Sequence, residues 1–197
     1  MPVTGKLAFT EDERASWFSH KAEVSKPYYY SVYLADYDVT TEITTTERAA
    51  HFQITFPENE QSSIVIDAFD KGSYIKIIPS ENKIIGYTTR NSGGVPENFK
   101  NYFVLQFDKP FAATAAWHGK VLEKDKLELK DNHVGAVIGF KTKKGEIVNV
   151  KVSSSFISFE QAELNLKNEL GTASFTETVT LSLSLMIDLD RLKLEYL

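Results

Sequence analysis

Hydrophobic and polar residues alternate with a period of two along most of the chain. Residues 28–34 carry Tyr, Val and Leu at every second position, and residues 39–46 and 52–56 repeat the alternation. Side chains of a β-strand point alternately to its two faces, so this pattern predicts three strands that share an apolar face. Asp36-Tyr37-Asp38 separates the first two strands and predicts a tight hairpin turn rather than a pair of catalytic carboxylates.

The same alternation continues towards the C-terminus, at a spacing of about ten residues that is typical of sandwiches and barrels. Eight further strands are predicted, at residues 62–69, 73–78, 83–89, 101–107, 111–117, 126–130, 134–140 and 146–154. The segments between them hold turn residues and are mostly too short for a crossover helix. The sequence therefore predicts an all-β fold, an antiparallel β-sandwich.

One helix is predicted near the C-terminus and one more strand after it. Ser158 and Gln161 fit an N-terminal capping box, apolar residues recur at helical spacing to Leu170, and Gly171 is a natural helix end. This helix is expected to be peripheral, packed on the edge of the sandwich. Residues 176–189 alternate Ser and Thr with Val and Leu, which predicts an edge strand. We expect one domain over residues 1–175 and an atypical tail over 176–197, either this strand or the start of a linker.

Composition excludes several classes of site. The chain has 197 residues, no Cys and a formal net charge of −5, so disulfides, thiolate zinc sites and a cysteine nucleophile are excluded. Basic and acidic residues are interspersed, which argues against nucleic acid as a partner, and no apolar run approaches the roughly 20 residues of a membrane span. Met1–Thr10 does not resemble a signal peptide.

An ordered set of motifs resembles the N-terminal β-sandwich domain of glycoside hydrolase family 92. Phe18-Ser19-His20 with Glu23 resembles its Phe-Ser-His-x-x-Glu motif, and Pro27 with the following tyrosines resembles its Pro-Gly-Tyr-Tyr-x-Val segment. Residues 1–5, 45–48, 52–57, 86–94, 101–107, 139–142 and 150–160 resemble further segments in the same order. The family's upstream Gly-rich segment, its Trp-containing helical linker and its catalytic domain have no counterpart here, so we expect the chain to be a fragment.

The resemblance implies a function for the parent enzyme. Family 92 contains calcium-dependent exo-α-mannosidases whose N-terminal sandwich packs against a barrel of paired helices. They act by inversion, with two carboxyl groups about 6.5–9.5 Å apart, and calcium takes about 6–8 oxygen ligands. The acid, the base and most calcium ligands would come from the barrel. The resemblance thus implies that the chain is the non-catalytic wall of the cleft in a bacterial α-1,2-mannosidase, which is periplasmic or extracellular. The chain is expected to be inactive alone and to hold no cofactor of its own.

Two loops are the candidates for contact with the α-mannoside or with the barrel. One contains His20 and Glu23, whose alternative interpretation is an exposed pair before a strand. The other is polar and glycine-rich, and its residues can donate hydrogen bonds and let backbone approach closely; they are Arg90, Asn91, Ser92, Gly93 and Gly94. No catalytic or metal-binding residue is assigned, because His51, His118 and His133 lack ligand spacing.

The two tryptophans and the tyrosines leave other functions open. Trp17 and Trp117 suit core or interface packing, with sugar stacking as the alternative. Tyrosines lie on both faces of the first strands, so an exposed sheet surface and a homodimer are possible. The alternatives to an enzyme domain are therefore a free-standing carbohydrate-binding module and a structural or assembly sandwich.

Overall fold

A computed structural model describes residues 1–124 and 126–195 of the chain. The elements are β1 (Pro2–Thr4), α1 (Glu11–Arg14), β2 (Val24–Lys26), β3 (Tyr29–Leu34), β4 (Val39–Thr45), β5 (Ala49–Phe56), β6 (Asn59–Asp67), β7 (Ser73–Ile78), β8 (Lys83–Thr88), β9 (Asn101–Phe107), β10 (Ala113–His118), β11 (Val121–Glu123), β12 (Glu128–Asp131), β13 (Val134–Thr142), β14 (Glu146–Ser155), α2 (Phe159–Glu169) and α3 (Phe175–Glu195).

The strands form two antiparallel sheets, which confirms the predicted fold class. A five-stranded sheet has the order β1-β6-β13-β10-β11, and a nine-stranded sheet has the order β12-β7-β8-β9-β14-β5-β4-β3-β2. The hairpin between β3 and β4 is present, and Asp38 takes a left-handed φ of 52° in it. The short strands β1, β2 and β11 and the helix α1 are additions that the alternation pattern does not predict.

The core lies between the two sheets. Ile64, Ile138 and Phe140 of the five-stranded sheet face Ile54 and Phe107 of the nine-stranded sheet, and all five are nearly inaccessible. The ring centroids of Phe107 and Phe140 are 6.2 Å apart across the interface. Apolar side chains at every second strand position thus meet in one layer, as their period of two requires.

Part of the outer face of the five-stranded sheet is also covered. Trp117 is fully buried there, packs against Phe9 at a ring distance of 5.4 Å, and donates its indole N–H to the Ile66 carbonyl at 3.2 Å. Helix α1 begins at a capping box between Thr10 and Glu13. The prediction of core packing is therefore confirmed for Trp117.

Helix α2 confirms the predicted helix within one residue at each end, but it lies on the outer face of the nine-stranded sheet and not at its edge. Ser158 caps it by accepting the Gln161 N–H. The Phe159 ring meets Tyr102 of β9 at 4.9 Å, and the Ser153 hydroxyl of β14 donates to the Ala162 carbonyl at 2.6 Å.

The prediction of an edge strand in the tail is wrong, because Phe175–Glu195 forms helix α3. Ser174 and Glu177 form a reciprocal capping box at its start. Hydroxyl groups within the helix donate to the carbonyl four residues earlier, as Thr178 does to Ser174 at 2.9 Å, so they do not favour extended chain. The hydroxyl-bearing face then packs on β4 and β5. Residues 196 and 197 of the predicted tail lie outside the described residues.

None of the helices in the described part of the chain is long and apolar enough to cross a membrane.

Candidate functional site

The loop between β8 and β9 holds the predicted residues 90–94 in a defined shape. The Asn91 side chain donates to the Thr89 carbonyl at 2.9 Å and accepts the Gly93 N–H at 2.7 Å. Gly93 and Gly94 have φ of +103° and +75°, values that favour glycine. Ser92, Gly93 and Gly94 are exposed, and a Cβ added at either glycine would meet nothing within 4 Å. The backbone here is open to a ligand or to another domain.

A second loop, between β6 and β7, supports the first. Thr89 donates its hydroxyl and its N–H to the Gly72 carbonyl at 2.9 and 3.0 Å. The Lys71 ammonium donates to the Asn91 carbonyl at 3.0 Å. Phe69 and Lys71 have left-handed φ of 62° and 71°, a strained arrangement for non-glycine residues that the contacts with the neighbouring loop help to hold.

Arg90 is positioned by an aromatic ring and a carboxylate. Its guanidinium lies 4.9 Å from the centre of the Phe69 ring, and its Nε is 3.4 Å from Asp70 Oδ1. The side chain is about half exposed. A guanidinium stacked in this way keeps some of its N–H groups free to donate hydrogen bonds to an oxygen-rich partner.

The second predicted pair, His20 and Glu23, forms a direct contact. His20 Nδ1 lies 2.7 Å from Glu23 Oε2, in a turn where the Ser19 carbonyl accepts the N–H groups of both Ala22 and Glu23. The His20 side chain is 84% exposed, whereas that of Glu23 is 19% exposed. Hydrogen bonds from Tyr30 first and then from His20 lower the pKa of Glu23. Glu23 is therefore an ionised hydrogen-bond acceptor and not a proton donor near neutral pH.

Trp17 precedes this turn and is not a core residue. Its side chain is 81% exposed, so of the predicted core or interface packing the core is wrong for this tryptophan, and an interface or sugar stacking stays a prediction. Its backbone is fixed on the β3–β4 hairpin, since its N–H donates to Asp36 Oδ2 at 2.7 Å and its carbonyl accepts the Ala35 N–H at 2.9 Å. With Phe18 and His20 it borders an open depression of about 470 Å³.

A crevice of about 460 Å³ enters between the sheets at one open end of the sandwich. Each predicted loop contacts a residue that lies in or beside this crevice. Phe69, which supports Arg90, lines this crevice, and so does Ile43. Tyr30, which bonds to Glu23, is the cross-strand neighbour of Ile43. The structure thus brings both loops to the rim of one crevice, without direct contact between them.

Sequence reasoning missed a buried ionic cluster beside the crevice. Asp67 Oδ2 accepts from Arg14 Nη2 at 2.8 Å, and Asp67 Oδ1 contacts His133 Nε2 at 2.7 Å. Burial raises the pKa of Asp67, but bonds from Arg14, His133 and the Phe69 N–H outweigh it and lower the pKa overall. These residues are far apart in sequence, and no motif joins them. The cluster fixes the end of β6 and the start of the Phe69 loop.

The remaining histidines do not form a metal site. His51 is buried beneath α3, while His118 lies at the surface near Glu123 and Asp131, at 3.4 and 3.8 Å. Among the side chains that the structure describes, residues 1–124 and 126–187, no three His, Asp or Glu residues converge as metal ligands would. The side chains described here therefore do not fit a calcium ion.

Two solved structures resemble the chain over nearly its whole length. The family GH92 inverting mannosidase BT2199 of Bacteroides thetaiotaomicron is 34% identical, with a TM-score of 0.89 over 93% of this chain and 25% of that protein. The family GH92 α-mannosidase BT3965 of the same organism, in complex with mannoimidazole, is 30% identical, with a TM-score of 0.82 over 92% of this chain and 26% of that protein. The chain thus spans about a quarter of the length of these relatives.

The sequence also matches a family model. Residues 1–155 match the model described as the glycosyl hydrolase family 92 N-terminal domain. No curated protein matches the chain. Since the model covers most of the chain, and the two-sheet fold agrees with the solved mannosidases, this protein belongs to the N-terminal domain family of the family 92 glycoside hydrolases.

Proposed function

We propose that the chain is the non-catalytic wall of the substrate cleft in an α-mannosidase, with α-1,2 linkages as the expected substrate class. The sandwich buttresses a catalytic barrel and contributes loops to the mannose-binding cleft. The observation that carries this proposal is the position of both candidate loops beside one crevice between the sheets. Loops held on a rigid scaffold are the usual carriers of binding residues, and the resemblance to solved family 92 mannosidases supplies the substrate class.

Each loop has chemistry suited to sugar hydroxyls or to a partner surface. Gly94, with its backbone N–H group, and Ser92, with its hydroxyl, are exposed and can donate or accept hydrogen bonds. Glu23 is an ionised acceptor beside the exposed His20 ring. Arg90 adds a positively charged donor whose direction Phe69 and Asp70 restrict. These groups bind and orient, and none of them is assigned to proton transfer.

The reacting carboxyl groups and calcium are assigned to the rest of the parent enzyme. An inverting reaction needs one carboxylic acid with a raised pKa and one carboxylate facing it across the bond. Glu23 has a lowered pKa, which is the wrong direction for the acid. Calcium, when bound by the parent enzyme, would contact sugar oxygens, and the lack of convergent ligands among the described residues supports a site outside this chain.

A complementation assay tests the proposal. The chain alone, with calcium and an α-mannoside, is expected to release no mannose above the uncatalysed rate. Addition of the catalytic domain of the parent enzyme is expected to restore turnover when both pieces are present and not with either piece alone. Enzyme-like turnover by the chain alone would contradict the proposal, as would full activity of the catalytic domain without it.

A second candidate function is favoured by Trp17. An exposed aromatic ring on a fixed backbone can stack on a sugar face, which suits a free-standing carbohydrate-binding module. Titration with mannose or a mannobiose should then quench Trp17 fluorescence, while the buried Trp117 stays unchanged. The variant Trp17→Ala should lose the quenching. An unaltered spectrum in the unmodified chain would exclude this alternative.

A further inference from the structure

The five-stranded sheet leaves part of the facing sheet uncovered at the open end. On β14, Val148 is fully buried, but Val152, four residues further towards the open end, is only partly buried. The same gradient runs across the inner face of the neighbouring strands. The partly buried apolar residues that line the crevice are Val32, Ile43, Phe52, Leu105 and Val152. Such a contiguous apolar surface at the mouth of a core is typical of a surface that another element covers.

One polar atom in this crevice has no partner. Thr41 is 7% exposed, lines the crevice, and its hydroxyl is buried without a hydrogen bond within the described part of the chain. Its cross-strand neighbours, Val32 and Ile54, are both apolar. Buried hydroxyl groups are almost always hydrogen-bonded, so an unpartnered one that faces an open crevice indicates a missing donor or acceptor.

The edge of the five-stranded sheet is also incomplete beside the crevice. Strand β6 runs from Asn59 to Asp67, but β1 pairs only with Ser62–Ile64. Met1 extends this pairing by one residue, since its amino group donates to the Val65 carbonyl at 2.8 Å and its carbonyl accepts the Val65 N–H at 2.9 Å. Among the described residues, the part of β6 nearest the crevice, Ile66 and Asp67, has no strand neighbour on that side. Extended backbone is the element that can fill a space next to a sheet edge and satisfy a lone hydroxyl.

We propose that an extended polypeptide segment with an apolar side chain at every second residue occupies this crevice. Its apolar side chains cover Phe52, Leu105 and Val152, and one of its backbone groups bonds to the Thr41 hydroxyl. The alternation matches the two-residue period that places side chains on one face of a strand. A compact apolar ligand would fill the volume but would not follow the strand edge.

The source of the segment is the parent polypeptide outside the matched region. The solved relatives are about four times as long as this chain, which covers 25% and 26% of them. This assignment rests on the proposed function, because it takes the chain as one part of a longer mannosidase. The tests below measure binding and not turnover, so the failure of one proposal is distinguishable from the failure of the other.

The absence of cysteine allows a single thiol to report on the crevice. In Val152→Cys the thiol should react readily with a maleimide, and in the matched control Val148→Cys it should be protected by the core. The probe is a blocked peptide of about eight residues in which valine alternates with threonine. At saturation it should slow the reaction of Val152→Cys about tenfold. A peptide of the same length with serine in place of valine should not.

A second variant tests the hydroxyl without risk to folding. Thr41→Val removes an unpartnered polar group at nearly constant volume, so the isolated chain should gain about 2–4 °C in Tm. Placed in the Val152→Cys background, the same substitution should weaken binding of the valine–threonine peptide about 3- to 10-fold.

Several results would overturn the proposal. Equal protection by the small dye anilinonaphthalene sulfonate would show that the crevice takes a compact apolar ligand. Protection that rises with protein concentration, together with a dimer by light scattering, would show that a second copy fills it. A lower Tm in Thr41→Val would show that the hydroxyl is already satisfied, and no protection by the peptide would show that no strand enters.

Discussion

At the scale of single residues, the best-defined charge in the molecule is Asp67. Its side chain is 10% exposed and is held by Arg14, whose side chain is 8% exposed. Because the pKa of Asp67 is lowered by its partners, its ionised form stabilises the fold above the unfolded-state pKa. That contribution is lost as the pH falls through the lower pKa of the folded state.

Removal of Arg14 should therefore be costly. Arg14→Met leaves Asp67 buried without its main partner, and we expect a loss of about 3–5 kcal/mol in the free energy of unfolding, measured with urea. Lys120→Met is the matched control, since Lys120 and Glu13 form an exposed pair at 2.8 Å that should contribute less than about 1 kcal/mol. Equal losses in the two variants would show that Arg14 is not a structural partner.

Close packing at Gly135 gives a second residue-scale prediction. A Cβ at this position would lie 2.2 Å from the Ile66 carbonyl oxygen and 2.3 Å from the Trp117 ring. Gly139 on the same strand would meet only the Ala113 Cβ, at 3.0 Å. Gly135→Ala should cost about 3 kcal/mol or more in the free energy of unfolding, and Gly139→Ala about 1 kcal/mol. Similar midpoints of chemical unfolding for the two variants would contradict this.

At the scale of elements, polar side chains attach α3 to the nine-stranded sheet. His51 Nδ1 contacts the Thr178 hydroxyl at 3.2 Å, and the Ser182 hydroxyl donates to the Thr45 carbonyl at 2.5 Å. Phe175 packs edge-on to His51 at 5.4 Å. Burial first, and then the charge of Lys151, lowers the pKa of His51 to about 4. The helix therefore covers a neutral imidazole.

This attachment should weaken in acid. Between pH 6.5, the ordinary pKa of histidine, and about 4, the unfolded chain binds a proton at His51 that the folded chain does not. The free energy of unfolding should thus fall as the pH is lowered through this range, by up to about 3 kcal/mol. His51→Gln should flatten this part of the profile, whereas His20→Gln, at an exposed site, should keep the wild-type shape. An unchanged profile in His51→Gln would contradict the assignment.

At the scale of the whole molecule, the two sheets form a rigid body with one open end. The Arg90 loop lies at that end, and the His20 turn lies along the β2–β3 edge that borders the crevice. The β13–β14 turn, with Lys144, lies at the other end, beyond the cross-strand pair Glu146 and Phe56. Substitutions beside the crevice are expected to affect contact with substrate or with the barrel, and substitutions at the opposite end are not.

Turnover in the parent enzyme tests this difference between positions beside the crevice and positions at the opposite end. Arg90→Ala and His20→Ala should each lower kcat/KM on an α-mannoside about 10- to 100-fold, because a misplaced binding group loses transition-state stabilisation. Lys144→Ala is the control and should leave turnover unchanged. Wild-type kinetics in both Arg90→Ala and His20→Ala would remove the two loops from the site.

Much of the architecture followed from local pattern. The alternation of residues 101–107 and 134–140 predicted β9 and most of β13, and Ser158 with Gln161 predicted the start of α2. The tail shows where the pattern failed. Residues 176–189 alternate as a strand would, but the Ser174–Glu177 capping box and the contacts of Thr178 and Ser182 with the sheet stabilise a helix.

The sequence alone determined most of the strands and the antiparallel class, because these depend on neighbours within a few residues. Only the tertiary structure decided that both loops share one rim, that Trp17 is exposed while Trp117 is buried, and that Arg14, Asp67 and His133 meet. The same holds for Thr41, whose buried hydroxyl has no hydrogen-bond partner among the described residues. These features depend on distances between residues far apart in the chain, which the alternation of apolar and polar positions does not encode.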